Sequence, residues 1–503
     1  MVAYREGIPR QQLVLFQQYL DELVESDSIV RVIDAYVDSL DMQGLGFRMN
    51  ENDTGAPAYR PQLKLRIYVY GYLNGIRSSR RLERECKRNV ELMWLTEGLA
   101  PDFKTIADFR KDNGSAIKAV FKQFLSMCRR LDLLEFNIVA VDGTKMRGQN
   151  SLNEIYRRDT IEAVETEVQQ RVDAYLKELD ELDEQEGIHG IRENAEKIEE
   201  LTARLGKQQK RAEKVAGIRS LFADEPELET VFATDEDARL QSDKGKIRPG
   251  YNVQTAVDEK HKLIVVAEVT NEQNDKKQLS PMIEHIRQEK QAHGIERETS
   301  VVGDTGYFSE AAIMNTKDGE DCRPIVSAGA EGADPSKSVC GKGQAVPTAE
   351  YYSDAFVYDE KRDVYRCPEN QELVRISRTP VMDKNGRGTH RYQGKAEICG
   401  ACPARGLCTR SEKSRMLRVS ANQREMGEYL QQLSSETNKR VLAKRKELVE
   451  HPFGTLKRSL GYTYFLVRSM DKVKTEFKLM CLAYNLKRVF NIVGFDKLMA
   501  AIQ

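Results

Sequence analysis

No run of the chain approaches the ~20 consecutive apolar residues that a membrane-spanning helix needs, and the opening stretch MVAYREGIPRQQ lacks the apolar run of a secretory signal. Both absences lead to the expectation of a protein with no membrane partner, working in the cytoplasm. Cysteine is scarce: nine in 503 residues are too few for a disulfide scaffold and suit a reducing interior. Net charge is missing as well. Lys and Arg number 78 against 79 Asp and Glu, a formal −1 at pH 7, which taken as an average argues against a nucleic-acid binder.

The neutral total conceals a division along the chain. Residues 401–503 carry 20 Lys and Arg against 9 Asp and Glu, and residues 60–150 carry 18 against 10, whereas residues 151–200 carry 6 against 16. Contact with phosphates requires clustered positive charge, not a positive average, so DNA binding stays open provided the acidic stretch faces elsewhere. Charge alone leaves merely solvated basic faces equally open. With 40% hydrophobic residues the chain can bury a large core, and it is longer than one compact domain usually is.

Apolar side chains recur at helical spacing over residues 10–41 and again in LKLRIYVYGYLNGI at 63–76. After Gly75, Ser78 or Ser79 is placed to cap a short helix bearing Arg77, Arg80, Arg81, Arg84, Lys87 and Arg88. A further helix is expected from Thr105, interrupted at Asn113 and Gly114. Short helices around a basic one suggest a helix-turn-helix-like unit at residues 1–130 that turns Arg80, Arg81 and Arg84 toward DNA. An all-helical cap with its arginines in water fits the same pattern.

From residue 135 the texture changes. EFNIVAVDG reads as a buried strand with Asp142 at its tip. Residues 155–215 return to helical periodicity, with Ile161, Val164, Val168, Val172, Tyr175, Leu179 and Leu182 before GIHG and Ile191, Ile198, Leu201 and Leu205 after it. The two stripes predict an antiparallel helical hairpin turning at Gly187 to Gly190. GYNVQTAVD and KLIVVAEVTN form an antiparallel strand pair, and a helix at about 275–292 starts near Asp275. TSVVGD is a strand that stops at Gly303 and Asp304 before a helix capped by Ser309. With the hairpin set aside, this is the element order of an RNase H-like mixed sheet.

Two aspartates at strand ends call for a third acid if they are to hold metal ions at a phosphodiester. The basic helical segment VLAKRKELVEHPFGTLKRSLGY supplies Glu450, with Lys446 one turn before it and Pro452 marking a kink or an end. Three gathered carboxylates repel one another unless divalent cations neutralise them, which points to two Mg2+ or Mn2+ ions. Taken singly, the aspartates read as turn or cap residues and Glu450 as a surface glutamate.

Together VAVDGTK, VVGDTGYFSEAAI and VEHPFGTLKRSLGY resemble the three catalytic blocks of bacterial insertion-sequence transposases of the DDE class. YRPQLKLRIYVYGYLNGIRSSRRLERECKRN resembles the helical domain that precedes the catalytic core in those enzymes, and GYNVQTAVDEKHKLIVVAEVTNEQNDKKQL the strands between their aspartates. The resemblance implies an α/β protein: an RNase H-like catalytic domain at 131–503 behind a helical, DNA-binding domain at 1–130, with insertions at about 155–215 and 320–425. It implies Asp142, Asp304 and Glu450 as metal ligands, and strand cleavage followed by strand transfer at the ends of the protein's own element. Its partners would be transposon-end and target DNA, with a homodimer or larger assembly on DNA near the nucleoid.

The chain departs from the family pattern of Tyr, two residues, Arg, three residues, Glu, six residues and Lys, having Ala443, Lys446, Glu450 and Lys457 at those places. Lys457 aligns as a phosphate contact. Lys446 lacks the planar fork of arginine, for which Arg445 or Arg440 can substitute. An RNase H-like nuclease that cuts without joining and a non-catalytic DNA-binding protein are the rival readings. Strand-transfer products separate the first, and DNA left unaltered in the presence of metal would favour the second.

Cys367 in YRCPEN and Cys399, Cys402 and Cys408 in CGACPARGLC offer four soft ligands in a loop-rich region, suited to a structural Zn2+ site or equally to four reduced, unliganded thiols. Cys86, Cys128, Cys322, Cys340 and Cys481 read as small apolar residues. His451, beside Glu450, reads either as a hydrogen-bond donor to a ligand or scissile phosphate, or as a structural histidine.

Overall fold

The computed structural model of the chain describes residues 19–49, 58–186, 195–243, 245–316, 319, 321–328, 347–382 and 388–502. Six helices come first: α1 (Ile29–Asp38), α2 (Pro61–Leu73), α3 (Ser79–Cys86), α4 (Val90–Leu95), α5 (Phe103–Asp112) and α6 (Gly114–Arg130). The helix expected over 10–41 is broken: Leu20–Leu23 form a 3-10 turn, and α1 starts afresh where the Ser28 hydroxyl accepts the Val30 N–H at 3.3 Å. Residues 10–18 of that expectation lie outside the described residues. Ser78 holds the N-cap position of α3, but its side chain makes no capping bond. The break at Asn113 is as expected, because its side chain is engaged by the Arg48 N–H at 2.7 Å and the Phe109 carbonyl at 2.8 Å. The short α4 is too brief to show a period and was not expected.

The main sheet begins with β1 (Ile138–Arg147). It does not stop at Asp142 as expected. A partner strand pairs antiparallel with it from Val139 to Arg147 and carries it five residues further. β2 (Ile155–Arg157) and β3 (Thr230–Phe232) form a small ribbon from which α7 (Ile161–Glu186) and α8 (Ala195–Asp224) extend as the expected hairpin. Ile161, Val168, Val172 and Leu182 are buried along α7, and Leu201 and Leu205 along α8. α8 runs past 215 because Val215, Ile218 and Phe222 pack on Tyr156 and Ile161. The expected turn at Gly187 to Gly190 lies outside the described residues.

The sheet continues with β4 (Arg239–Asp243), β5 (Lys246–Asp258), β6 (Ile264–Thr270), α9 (Leu279–Ala292), β7 (Thr299–Gly303), α10 (Glu310–Thr316) and β8 (Cys322–Val326). β5 is the antiparallel neighbour of β1, β6 and β4, while β7 and then β8 join the other edge of β1 in parallel. β8 belongs to this sheet, although it falls within the segment at about 320–425 that the sequence marks as an insertion. That insertion holds a separate antiparallel sheet of β9 (Val357–Asp359), β10 (Val364–Arg366), β11 (Glu372–Arg375), β12 (Val381–Met382), β13 (Gly388–Gly394) and β14 (Met416–Ser420). Two short helices, α11 (Ala396–Ala401) and α12 (Arg405–Cys408), interrupt it. Its core is small: Phe356, Tyr365, Leu373, Tyr392 and Leu417.

Three helices close the chain: α13 (Gln423–Leu433), α14 (Glu436–Gly454) and α15 (Met470–Ile502), the last bent at Gly494, whose φ is 77°. Pro452 does not end α14. The helix runs on to Gly454 and widens into a π turn at Thr455–Ser459, the kind of local rewinding that follows a lost backbone donor.

One hydrophobic core unites α1, α2, α6, β5, β6, α9 and α15, so the helical N-terminal region and the main sheet are packed as one body. Arg77, just before α3, and Glu476 on α15 form a buried pair at 3.4 Å. Glu476 also accepts the Leu466 N–H at 2.9 Å and the Val467 N–H at 3.2 Å. The architecture is mixed α/β with a helical N-terminal region and mixed sheets. Removing one partner of a buried ion pair strands the other charge, which costs about 3–5 kcal/mol. We therefore expect Arg77→Ala to lower the thermal melting temperature by several degrees, whereas exposed Arg81→Ala leaves it within about 1 °C of wild type.

Candidate active site

The register of the main sheet builds the site. Ala140 of β1 lies beside Val302 of β7 in parallel pairing; two residues further on stand Asp142, still within β1, and Asp304, just past the end of β7. Because side chains alternate along strands, Ile138, Ala140 and Asp142 share one face. α14 covers that face, with Leu448 and Val449 packed on Ile138, Ala140 and Val302, and Val441 and Leu442 alongside. Arg445 falls on the same stripe at helical spacing. It therefore reaches the strand ends where the apolar residues give way to aspartate.

The Arg445 guanidinium stands 3.1 Å from Asp304 Oδ2 and 3.9 Å from Asp142 Oδ1. The Arg445 side chain is 16% exposed, Asp142 21% and Asp304 44%. Burial, with negative Asp304 and Asp275 adding to it, pushes the Asp142 carboxyl up to about 6 against the pull of Arg445. Asp304 also accepts the Gly306 N–H at 2.8 Å, which fixes the turn after β7.

Asp275 was read from the sequence only as lying near a helix start. It precedes α9 and accepts hydrogen bonds from Asn252 Nδ2 at 2.7 Å and Gln254 Nε2 at 2.8 Å, with Lys145 Nζ at 3.7 Å. Gln254 is bonded in turn by the buried Tyr307 hydroxyl. A Cβ on Gly143 would come within 2.9 Å of Asp275 Oδ1, and one on Gly306 within 2.9 Å of Asp304 Oδ1 and 3.7 Å of Asp275 Oδ2. The carboxylate thus sits against the backbone that follows each of the two aspartates. A signal was present: Asn252 and Gln254 are buried amides in the otherwise apolar strand GYNVQTAVD, and buried amides require partners.

Glu450 lies on the flank of α14, 65% exposed and 3.9 Å from Lys446, which is 80% exposed. Lys446 thus shares its face, as expected. Lys457 is not turned to solvent: its ammonium bonds Thr144 Oγ1 and, at 3.1 Å, the Lys145 carbonyl. His451 is structural, with Nδ1 2.9 Å from the Tyr484 hydroxyl and Nε2 3.1 Å from Arg488. Arg80, Arg81 and Arg84 are exposed on α3, and Arg80 stacks 4.8 Å from the Phe103 ring.

Cys367, Cys399, Cys402 and Cys408 come from separate turns yet line one small cavity, with Tyr351, Arg405 and Arg415 around it. Cys367 Sγ accepts the Gln371 N–H at 3.3 Å. Burial first, and the other three cysteines after it, raise the Cys408 thiol. Cys86, Cys128, Cys322 and Cys481 are buried, and Cys340 lies outside the described residues. Among the described residues no three His, Cys, Asp or Glu side chains are gathered closely enough to hold a metal ion as they stand. The acidic trio is therefore not closed, and the four thiols share a cavity without meeting at one centre. No helix of the described residues is long and apolar enough to cross a membrane.

The fold and site together define an α/β protein with two aspartates, one within β1 and one just past β7, beneath a basic helix. Comparison with protein families is more specific: residues 366–490 match the family described as transposase DDE domain, and residues 18–112 match the transposase domain DUF772. Two segments of the chain are thus similar to transposase domains, in keeping with an insertion-sequence transposase of the DDE class. Glu450 and Lys457 fall within the first segment, Arg80, Arg81 and Arg84 within the second, and Asp142 and Asp304 outside both. No curated protein matches the chain. Among solved structures the chain is similar to piggyBac transposase in a cryo-EM synaptic complex with hairpin DNA, at 8% identity over 95% of this chain and 79% of that one, with a TM-score of 0.29.

The raised carboxyl of Asp142 has a sign that can be tested. A carboxyl that titrates higher in the folded than in the unfolded state binds more protons when folded, so stability falls as pH rises from about 4 to about 6 and then levels. Asp142→Asn removes that loss. In metal-free buffer the variant should melt above wild type at pH 7, and the gap should close toward pH 4. A gap independent of pH would refute this.

Proposed function

We propose that the protein is a DNA transposase that cuts and joins strands at the ends of its own insertion sequence, using divalent metal held by Asp142, Asp304 and Glu450. The observation that carries this reading is the convergence of Asp142 and Asp304, from neighbouring parallel strands, on a single cation. A site already built around a positive charge suits Mg2+ or Mn2+. Glu450, on the helix above, would complete it by turning inward from Lys446. The order β6-β5-β1-β7-β8, antiparallel on one side of β1 and parallel on the other, supports an RNase H-like core within residues 131–503.

When bound, two divalent ions would supply activation of water or a 3′-hydroxyl and stabilisation of the leaving oxygen. The chain's own residues position the substrate. Arg80, Arg81 and Arg84 in the helical domain at 1–130 and Lys446 on α14 present exposed charge for the DNA backbone, and Lys457 braces β1 next to Asp142. Transposon ends and target DNA are the partners, and joining two ends calls for at least a homodimer.

Purified protein incubated with Mg2+ and its element's ends should cleave and join them, with activity down at least about 100-fold in Asp142→Ala, Asp304→Ala and Glu450→Ala. Cleavage without joining would make it a nuclease. Binding without cleavage would make it a DNA-binding protein only.

The insertion after β8 has too small a core to hold its sheet without a staple, and we propose that Cys367, Cys399, Cys402 and Cys408 take a structural Zn2+ that draws the four sulfurs together. Elemental analysis of protein purified without chelator should find about one zinc per chain, and Cys399→Ser with Cys402→Ser should abolish it. Zinc-free protein with four titratable thiols would leave these cysteines as ordinary side chains.

A further inference from the structure

We infer that Arg445 is a resident counter-cation of the aspartate pair, which divalent metal must displace, so that metal loading and the release of this arginine toward DNA phosphate are one event. The inference rests on the proposed metal site and adds to it a residue that opposes metal in the absence of DNA.

The physical case begins with charge. Asp142 and Asp304 stand near each other, 21% and 44% exposed, and like charges so placed repel unless a cation compensates them. Arg445 gives it with one guanidinium at 3.1 Å and 3.9 Å. Its Nε is buried without a hydrogen-bond partner, an arrangement that forfeits part of what a forked donor can give to carboxylates. The arginine is therefore held by charge and by its place on the packed stripe of α14 more than by complete hydrogen bonding. A divalent ion and the guanidinium seek the same carboxylate oxygens, and two cations in that space would repel each other. One must leave.

The neighbours of Arg445 give the displaced side chain somewhere to go. Lys444 and Lys446 stand to either side of it on α14, both exposed, Lys444 paired with Glu259 at 3.3 Å and Lys446 3.9 Å from Glu450, so solvent and basic residues lie beside the site on α14. A DNA phosphate there would offer the guanidinium a planar, bidentate partner. By linkage, an anion that draws Arg445 out raises metal affinity, and metal that expels Arg445 raises affinity for the anion by the same factor. This also separates Arg445 from Arg440 and Lys446 as the stand-in for the arginine missing from the family pattern: of the flanking basic residues, Arg445 is the one the structure brings to both aspartates.

The test reads metal affinity, not catalysis. Mn2+ binding to the full-length protein without DNA is measured by electron paramagnetic resonance for wild type, Arg445→Ala, Arg445→Gln and Asp142→Ala, with thermal melts confirming that each is folded. The expectation is at least about ten-fold tighter Mn2+ binding in both Arg445 variants, the equivalent of about 1.4 kcal/mol, and loss of binding in Asp142→Ala. A merely structural arginine would leave affinity unchanged or weaken it. If wild type binds Mn2+ through Asp142 and the Arg445 variants bind no more tightly, the displacement idea is overturned and the metal site stands. If neither wild type nor the Arg445 variants bind Mn2+, the metal-dependent reading itself falls and this inference with it.

Discussion

Two carboxylates held beside each other repel unless one takes up a proton or a cation stands between them, and the region around Asp142 and Asp304 is arranged around that constraint. The parallel register of β1 and β7, which pairs Ala140 with Val302, brings Asp142 and Asp304 near each other two residues further on, and α14 crosses that face with an apolar stripe interrupted at one position by Arg445. Neither placement is useful without the other. Without Arg445 the two carboxylates would face each other with no cation between them, and without the aspartates a nearly buried guanidinium would have no partner.

A second layer of compensation lies behind the first. Asp275 places a third negative charge near the strand ends and is met by Lys145, Asn252 and Gln254. Burial holds the Lys145 ammonium below the ordinary lysine value, with Asp275 opposing that shift. The glycines after Asp142 and Asp304 allow this carboxylate to approach the backbone of both turns. Asp275 and its amides thus pack beneath the backbone that carries the two aspartates, while Arg445 meets their carboxylates from above.

The helical N-terminal region is tied to this scaffold through α15, which packs against α1, α2, α6 and β6 within one core. Arg77 and Glu476 seal the junction, and Tyr462 bonds the Tyr72 carbonyl across it. Exposed arginines on α3 are thus mounted on the same rigid body as the acidic site. The helical hairpin and the cysteine-bearing sheet, by contrast, have separate small cores, as insertions with their own local packing do.

Much of this was determined by the sequence alone, because local patterns report local structure. Periods of two and of 3.6 located the strands around Asp142 and Asp304, the paired strands between them, the helical hairpin and the break at Asn113. The motif resemblance singled out Asp142, Asp304 and Glu450. What only the tertiary structure decided were facts of register and of packing between distant segments. β1 outruns Asp142 because β5 pairs beyond it, β8 joins the main sheet, and His451 is spent on Tyr484 and Arg488. Arg445, one of five basic residues from Lys439 to Lys446 and indistinguishable from the others by sequence, is singled out by the direction its side chain takes once α14 docks. Asp275 likewise gains its place from two amides on a strand more than twenty residues earlier. Charge pairing across a fold depends on which faces meet, and one-dimensional spacing does not carry that information.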